Sequence, residues 1–302
     1  MSRLFQAYVI VDWSAAAAPK TGKDSVWIGV IKKDARFRPT FEAFNPSTRM
    51  EAEAKLREVL AELRRKGERV LLGFDFALGY PVGSAAKLAL EGPAWSATWA
   101  FLAANVVDKK DNTNNRFAVA NKMNRLMTDE ARPFWGCPPK DAQRWLTSTK
   151  PATHGGDLPP MFRRAEIATQ GKGKGGAKSV FQIFGNGTVG GQAIVGVPAV
   201  KRLADELGDK ALIWPFQTGW KALTPEDLEG KEAVIAEVYP SLHNAKLEAG
   251  EAPDRAQVRA TAEYFLKLDE AGKLAAAFAA PKEAAPEIVA EVEAEEGWIL
   301  GV

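Results

Sequence analysis

The chain has 302 residues, 46% of them hydrophobic and 26% charged, with a net charge of +2 and a single cysteine, Cys137. This is ordinary globular composition with enough apolar material for one large domain or two small ones. It excludes an intrachain disulfide and a cysteine-based metal site. No stretch approaches the ~20 apolar residues of a membrane span, and the opening MSRLFQAYVIVDW lacks a signal-peptide cleavage pattern. The expectation is a cytoplasmic protein that does not engage a membrane, and a lone cysteine suits a reducing compartment.

The first β-rich run is 6–11, ending at Asp12; a second follows at 25–31 and a third at 38–44. Short, turn-rich connections between them predict an antiparallel meander. Ser47 reads as a helix cap, with Met50, Ala54, Val59, Leu60 and Leu63 at helical spacing and Gly67 as the stop. The continuous apolar run 69–74 predicts a strand buried on both faces, and it stops at Asp75. Residues 84–130 read as mostly helical and 131–160, with prolines at 133, 138, 139, 151, 159 and 160, as loops. A strand-like KSVFQIFG, a glycine-rich NGTVGG and a helix over 198–207 come next, then short strands at 211–216 and 233–238, the second carrying Glu237. A long helix is predicted over roughly 254–279.

This order predicts an α/β fold: an RNase H-like mixed sheet flanked by helices, with a large, mostly helical insertion. Residues 1–91 and 211–302 form the core and 92–210 an inserted cap or subdomain. A helix crosses between the first and fourth strands, so those strands run parallel. Their carboxyl ends, Asp12 and Asp75, then share one edge of the sheet, where open α/β sheets bind ligands. Two aspartates there repel each other, and a divalent cation is the simplest compensation. Mg²⁺ and Mn²⁺ prefer oxygen ligands, and two such ions ~3.5–4 Å apart can clamp the attacking and leaving oxygens of a phosphodiester. Glu237 is a charge within a strand of Ala, Val and Ile and needs a partner or a role. Asp269 falls on the same helical face as Val258, Ala262 and Phe265. Asp12, Asp75, Glu237 and Asp269 are therefore the candidate catalytic acids, the first three as metal ligands. Glu270, Glu287 and Glu291 are rivals of Asp269. Asp12 and Asp75 also read as turn caps, and each of the four acids taken singly reads as structural.

The segments YVIVDWSAA, LLGFDFALGYP, AVIAEVYPSL and the terminal EEGWILGV resemble an uncharacterised bacterial domain family of predicted RNase H-like nucleases. The family pattern has an acid after the first strand, an Asp followed by Leu/Ile-Gly-(Leu/Tyr)-Pro after a later strand, and a Glu-Val-(His/Tyr)-Pro motif. In this sequence these fall on Asp12, on Asp75 with Gly79, Tyr80 and Pro81, and on Glu237 with Val238, Tyr239 and Pro240. The resemblance covers roughly 6–81 and 211–302 and implies a metal-dependent nuclease. The chain departs from the pattern in having Trp13-Ser14 after the first acid and in the stretch 92–210.

Charge is unevenly spread. Residues 105–180 carry 14 Lys/Arg against 7 Asp/Glu, and 205–302 carry 9 against 20. A basic middle beside an acidic end suits a polyanion surface next to a metal site; two solvated faces of opposite sign is the plainer reading. Ser14, Arg163, Arg164 and Lys178 are the candidate substrate contacts, and Trp135 a candidate base-stacking residue. GKGKGGAKS at 171–179 lacks P-loop spacing, and no clear acid ends a following strand about twenty residues after Gly185, Gly187 and Gly190, as a dinucleotide site needs. The latter segment reads as a tight turn or an anion-binding nest. His154 and His243 read as a loop and a helix-start residue.

The function expected is a phosphodiesterase or nuclease dependent on Mg²⁺ or Mn²⁺, acting on nucleic acid or another phosphorylated substrate. A phosphotransferase or ATPase on the related actin-like fold needs two duplicated halves, and no duplication is present. A non-catalytic nucleic-acid or protein-binding module is the remaining alternative, separated from the first by divalent-ion binding.

Overall fold

The computed structural model describes residues 3–34, 36, 38–172 and 175–302. Its centre is a six-stranded sheet in the order β3-β2-β1-β4-β6-β5. The strands are β1 (Ala7–Asp12), β2 (Trp27–Lys33), β3 (Pro39–Phe44), β4 (Val70–Phe74), β5 (Ala211–Ile213) and β6 (Ala233–Glu237). The meander β1–β2–β3 is antiparallel, whereas β1, β4, β6 and β5 run parallel. The chain is thus α/β with a mixed sheet, as the run of three strands, helix and strand predicts.

Side chains alternate across β1. Val9 and Val11 enter one apolar core with Leu72, Leu56 and Val197, while Tyr8 and Ile10 enter a second with Leu71, Val258 and Phe265. Because both faces are covered, β4 is buried along its whole length and reads as a continuous apolar run. Gly73 in its middle has a packing reason: a Cβ there would stand 2.7 Å from Val238 and 2.9 Å from Ile10.

Helix α1 (Arg49–Arg65) begins one residue later than the Ser47 cap predicts. Thr48 Oγ1 accepts the Glu51 amide at 3.2 Å and the Glu51 carboxylate accepts the Thr48 amide, a capping box. Ser47 Oγ donates to the same carboxylate at 2.7 Å. After β4 come α2 (Ser84–Lys87), α3 (Ala94–Asn105), α4 (Arg116–Thr128), α5 (Arg164–Ala168) and α6 (Gly190–Leu207). Helix α7 (Pro253–Glu270), α8 (Leu274–Ala277) and α9 (Pro286–Glu291) follow β6, and a π-helical turn Val292–Glu296 leads into the C-terminal segment. Helix α7 covers β1 and β2 on one face of the sheet, and the core on the other face is built from α1, α3 and α6.

Two sequence expectations change here. Among the described residues KSVFQIFG forms no strand of the sheet, and its one ladder contact there is a bridge between Gln182 and Trp135. Helix α6 starts eight residues before Pro198, so that proline lies inside the helix rather than at its start. Burial on all sides of Val195, Val197, Ala199 and Val200 holds the helix despite the missing amide. Among the described residues, 92–210 add no strand to the sheet and pack beside it. Ala193, Ile194 and Val197 of α6 share the core of β1 and β4. Among the described residues no helix is long and apolar enough to cross a membrane.

Candidate functional site

Strand β1 ends at Asp12, and Val11 pairs with Phe74 at the end of β4. The next residue, Asp75, donates its amide to Val11 O at 3.1 Å. The two aspartates therefore leave adjacent parallel strands at the same level. Asp75 Oδ1 accepts the Trp13 amide at 2.8 Å, and the two carboxyl groups are close enough to share a hydrogen bond. Burial, and then the neighbouring charge of Asp75, hold the Asp12 carboxyl well above the usual carboxylate range. Burial likewise pushes Asp75 up. Without a cation this pair retains a proton at pH values where free aspartates have lost theirs.

The loop after β1 is pinned from two directions. Arg49, 1% exposed, donates from Nη1 to Ser14 O at 2.9 Å and Ala16 O at 2.7 Å, and its Nε and Nη2 pair with Asp108 at 2.6 Å. Gln192 Nε2, in the first turn of α6, donates to Trp13 O at 2.5 Å. Ser14 Oγ accepts the Ala16 amide at 3.2 Å.

A third carboxylate acts on this pair, and it is not one the sequence reading selected. Asp254, in the first turn of α7, raises both Asp12 and Asp75 through its charge. Its Oδ2 accepts the Asp24 amide at 2.6 Å, and burial raises it in turn. In sequence, Ala252-Pro253-Asp254 carries the ordinary signature of a helix start, Pro at the first position and an acid in the first turn. Nothing local separates it from a cap.

Glu237 and Asp269 do not join the pair. Glu237 ends β6 on the same sheet edge, but both its oxygens are taken: Arg163 Nη1 and Nη2 donate to them at 2.8 and 2.7 Å, and the Leu78 amide adds a third bond at 3.2 Å. Arg163 Nε also donates to Glu166 Oε1 at 3.0 Å. Arg163, Glu166 and Glu237 are all at most 4% exposed, so this is a closed, buried ion network. Glu237, expected as a metal ligand, and Arg163, expected as a substrate contact, are engaged with each other instead. Asp269 accepts the Leu4 amide at 2.8 Å, the Phe5 amide at 2.9 Å and the Tyr8 hydroxyl at 2.7 Å. These partners lie at the start of β1, so Asp269 sits at the end of the sheet opposite Asp12. Fifteen residues of helix put it about 22 Å from Asp254. Among the described residues no three His, Cys, Asp or Glu side chains form a ready-made metal cluster; the site is a carboxyl pair in the field of a third acid.

Asp12, Asp75 and Asp254 line an open cleft of about 880 Å³ together with Ser14, Lys178 and Arg116. Lys178 is exposed, as a substrate contact requires. Arg164 is not in this lining; its guanidinium pairs with Glu291 and its amide donates to Glu296 at 2.8 Å. Trp135, 6% exposed, is built into the core and offers no stacking face. The glycine-rich segment at 185–191 also lines the cleft and leads into α6. Of the basic loop, Gly176 and Lys178 reach it, and Gly173 and Lys174 lie outside the described residues. His154 Nε2 bonds Pro159 O at 2.6 Å in a loop. His243 stacks on Tyr264 with centroids 4.3 Å apart, and burial lowers its pKa to about 4.

The segments around Gly79, Glu237 and Glu295 meet in space. Gly79 packs so tightly on the π-helical turn that a Cβ would stand 2.3 Å from the carbonyl oxygens of Glu295 and Glu296. The Glu295 carboxylate accepts the amides of Gly83 and Ala85 at 2.7 and 2.6 Å, that of Glu296 accepts the Val82 amide at 3.1 Å, and Leu300 donates its amide to Glu237 O at 2.9 Å. The Gly-Tyr-Pro turn, Glu237 and the terminal Glu-Glu-Gly-Trp are one framework behind Asp75. No protein-family model, curated protein or solved structure matches the chain.

Proposed function

We propose that the cleft is a divalent-cation-dependent phosphodiesterase centre on an RNase H-like scaffold, with Asp12 and Asp75 as the principal cation ligands and Asp254 as the supporting carboxylate. The observation that carries the reading is the half-buried Asp12–Asp75 pair, placed by adjacent parallel strands in a cleft that also contains cationic groups. The strand order β3-β2-β1-β4, with β1 antiparallel to β2 and parallel to β4, agrees with that scaffold.

The donor set fits Mg²⁺ or Mn²⁺. It consists of carboxylate oxygens with no nitrogen or sulfur, the chemistry hard cations prefer. A pair that must otherwise keep a proton gains most from a cation. A bound ion supplies Lewis-acid stabilisation of charge on a phosphoryl group. Asp12 and Asp75 must both be deprotonated to hold it. The Trp13 amide fixes Asp75 Oδ1, and Arg49 and Gln192 fix the backbone that carries Asp12 into the cleft. Lys178 attracts the phosphate. Nucleic acid and smaller phosphodiesters both suit a cleft of this size.

The test is Asp12→Asn. Wild type should be stabilised by Mn²⁺, by about 2.7 kcal/mol at a hundredfold excess over Kd, and should cleave a phosphodiester: single-stranded DNA, RNA, a hybrid, or bis(p-nitrophenyl) phosphate. The variant should lose the cleavage and most of the Mn²⁺ response while melting cooperatively. Equal Mn²⁺ stabilisation of the two proteins removes Asp12 from the site, and a metal response with no cleavage of any substrate favours a binding role.

A further inference from the structure

We propose that the same cleft contains a second, anion-binding position, in which Arg116 and the first turn of α6 hold a phosphate group of the substrate other than the one being cleaved. Arg116 opens α4 and is only 8% exposed. Its Nη1 donates to Asn114 Oδ1 at 2.8 Å, and its Nε is buried without any partner. The two other buried arginines are each matched to carboxylates: Arg49 to Asp108, and Arg163 to Glu166 and Glu237. Among the described residues Arg116 has no such match. The acids that act on it, Asp108 and Asp141, do so through charge alone, and Asp108 is committed to Arg49. Burial lowers the guanidinium to about 10, so it remains a cation at neutral pH.

Its guanidinium lies over the Phe117 ring, 4.3 Å from the centroid, a contact that stabilises the cation without neutralising it. Gly191, in the first turn of α6, abuts the Arg116 side chain; a Cβ there would lie 3.5 Å from Arg116 Cδ. Helix α6 is 18 residues long, and its N-cap, Val189, provides no side-chain cap. The first amides of a helix have no intrahelical acceptor, and this end carries the positive pole of the dipole. An unmatched guanidinium at a positive helix end is an arrangement that an anion completes. Gly185 and Gly187 adopt φ of +127° and +68°, and no atom stands within 4 Å of a Cβ built at Gly187. The backbone there is open to close approach. Lys178 lines the same cleft.

The ligand chemistry is therefore a phosphate group. It comes either from the backbone of a polynucleotide or from a second phosphate on a nucleotide-sized ester. The assignment of this phosphate to the substrate rests on the phosphodiesterase reading; the affinity of the position for phosphate does not. The experiment is calorimetric titration of the full chain with inorganic phosphate in EDTA, at constant ionic strength set by chloride. The chelator removes divalent cations, so failure of the carboxylate site leaves this readout intact.

Wild type should bind saturably, and Arg116→Gln should bind at least tenfold more weakly. Asn186→Glu, an exposed change on the cleft lining that sets a carboxylate near α6, should weaken binding in the same direction and does not disturb the interior. Asp12→Asn should bind phosphate at least as tightly as wild type. A 5′-phosphorylated dinucleotide that binds more tightly than a nucleoside monophosphate assigns the position to a polynucleotide, and equal binding assigns it to a small ester. Absence of saturable phosphate binding, or binding unchanged in both Arg116→Gln and Asn186→Glu, overturns the proposal.

Discussion

The Asp12–Asp75 pair sets how the protein responds to pH. A carboxyl whose pKa is raised by folding binds more protons in the folded chain than in the unfolded one over the interval between the two values. Stability from this pair is therefore present at acid pH and declines as pH rises from the ordinary aspartate range through the raised value. In EDTA, the melting temperature of wild type relative to Asp12→Asn should fall as pH rises from the ordinary aspartate range through about 6, and Mn²⁺ should restore it at the upper end. Parallel melting profiles of the two proteins across that interval would show that the pair does not titrate as coupled groups. Asp269 behaves differently, since its partners are two amides and a hydroxyl. Asp269→Asn should destabilise by about 1–3 kcal/mol, the usual cost of weakening buried charge-assisted hydrogen bonds. It should leave the Mn²⁺ response unchanged in the same melting assay. Both acids end up on α7 or against it, and residue type alone does not tell them apart. Asp269 was readable as inward-facing from its apolar helical stripe, but an inward acid is equally a clamp. Asp254 was hidden because a helix N-terminus needs an acid for its own reasons, and only the packing of α7 across β1 and β2 gives it a second neighbour.

At the scale of elements, the strands were legible because their periodicity is forced by burial: β1 feeds two cores with alternate residues, and β4 has both faces covered. What sequence could not supply was the partner of Glu237. An isolated charge in an apolar strand announces that a counter-charge exists, but Arg163 comes from a loop 74 residues earlier. Removing that partner leaves Glu166 and Glu237 buried and unmatched. Arg163→Met should cost about 3–5 kcal/mol, read by urea denaturation, with Glu237→Gln also destabilising. A Glu237→Gln protein of wild-type stability that has lost its divalent-ion response would return Glu237 to the metal site. Helix α6 was foreshortened in the sequence reading because proline is so often a first helical residue. Its true start, at Gly190, is what brings a helix end to the cleft.

For the molecule as a whole, the middle of the chain is the part that sequence placed least well. Its basic excess and loops suggest a cap packed beside the sheet, and within it α6 shares the core of the central strands and supplies cleft residues. The framework behind Asp75 is equally global. Gly79→Ala should force the 78–85 loop off the π-helical turn, at about 1–3 kcal/mol for overpacking. Hydrogen exchange should then quicken in two places at once, the amides of Val82, Gly83 and Ala85 and that of Leu300. Faster exchange confined to the loop would show that the two are not mechanically joined.

That framework also imposes a timetable on synthesis. The Glu295 carboxylate that receives the Gly83 amide is 212 residues further along the chain. At a translation rate of about 5–20 residues per second, the interval between the two is on the order of 10–40 s. For that time a nascent chain holds Asp12 and Asp75 already made, while the loop that follows Asp75 has nothing to lie against. Ribosomes stalled before residue 295 should therefore present a protease-sensitive loop at 78–85, and release of the remaining residues should close it.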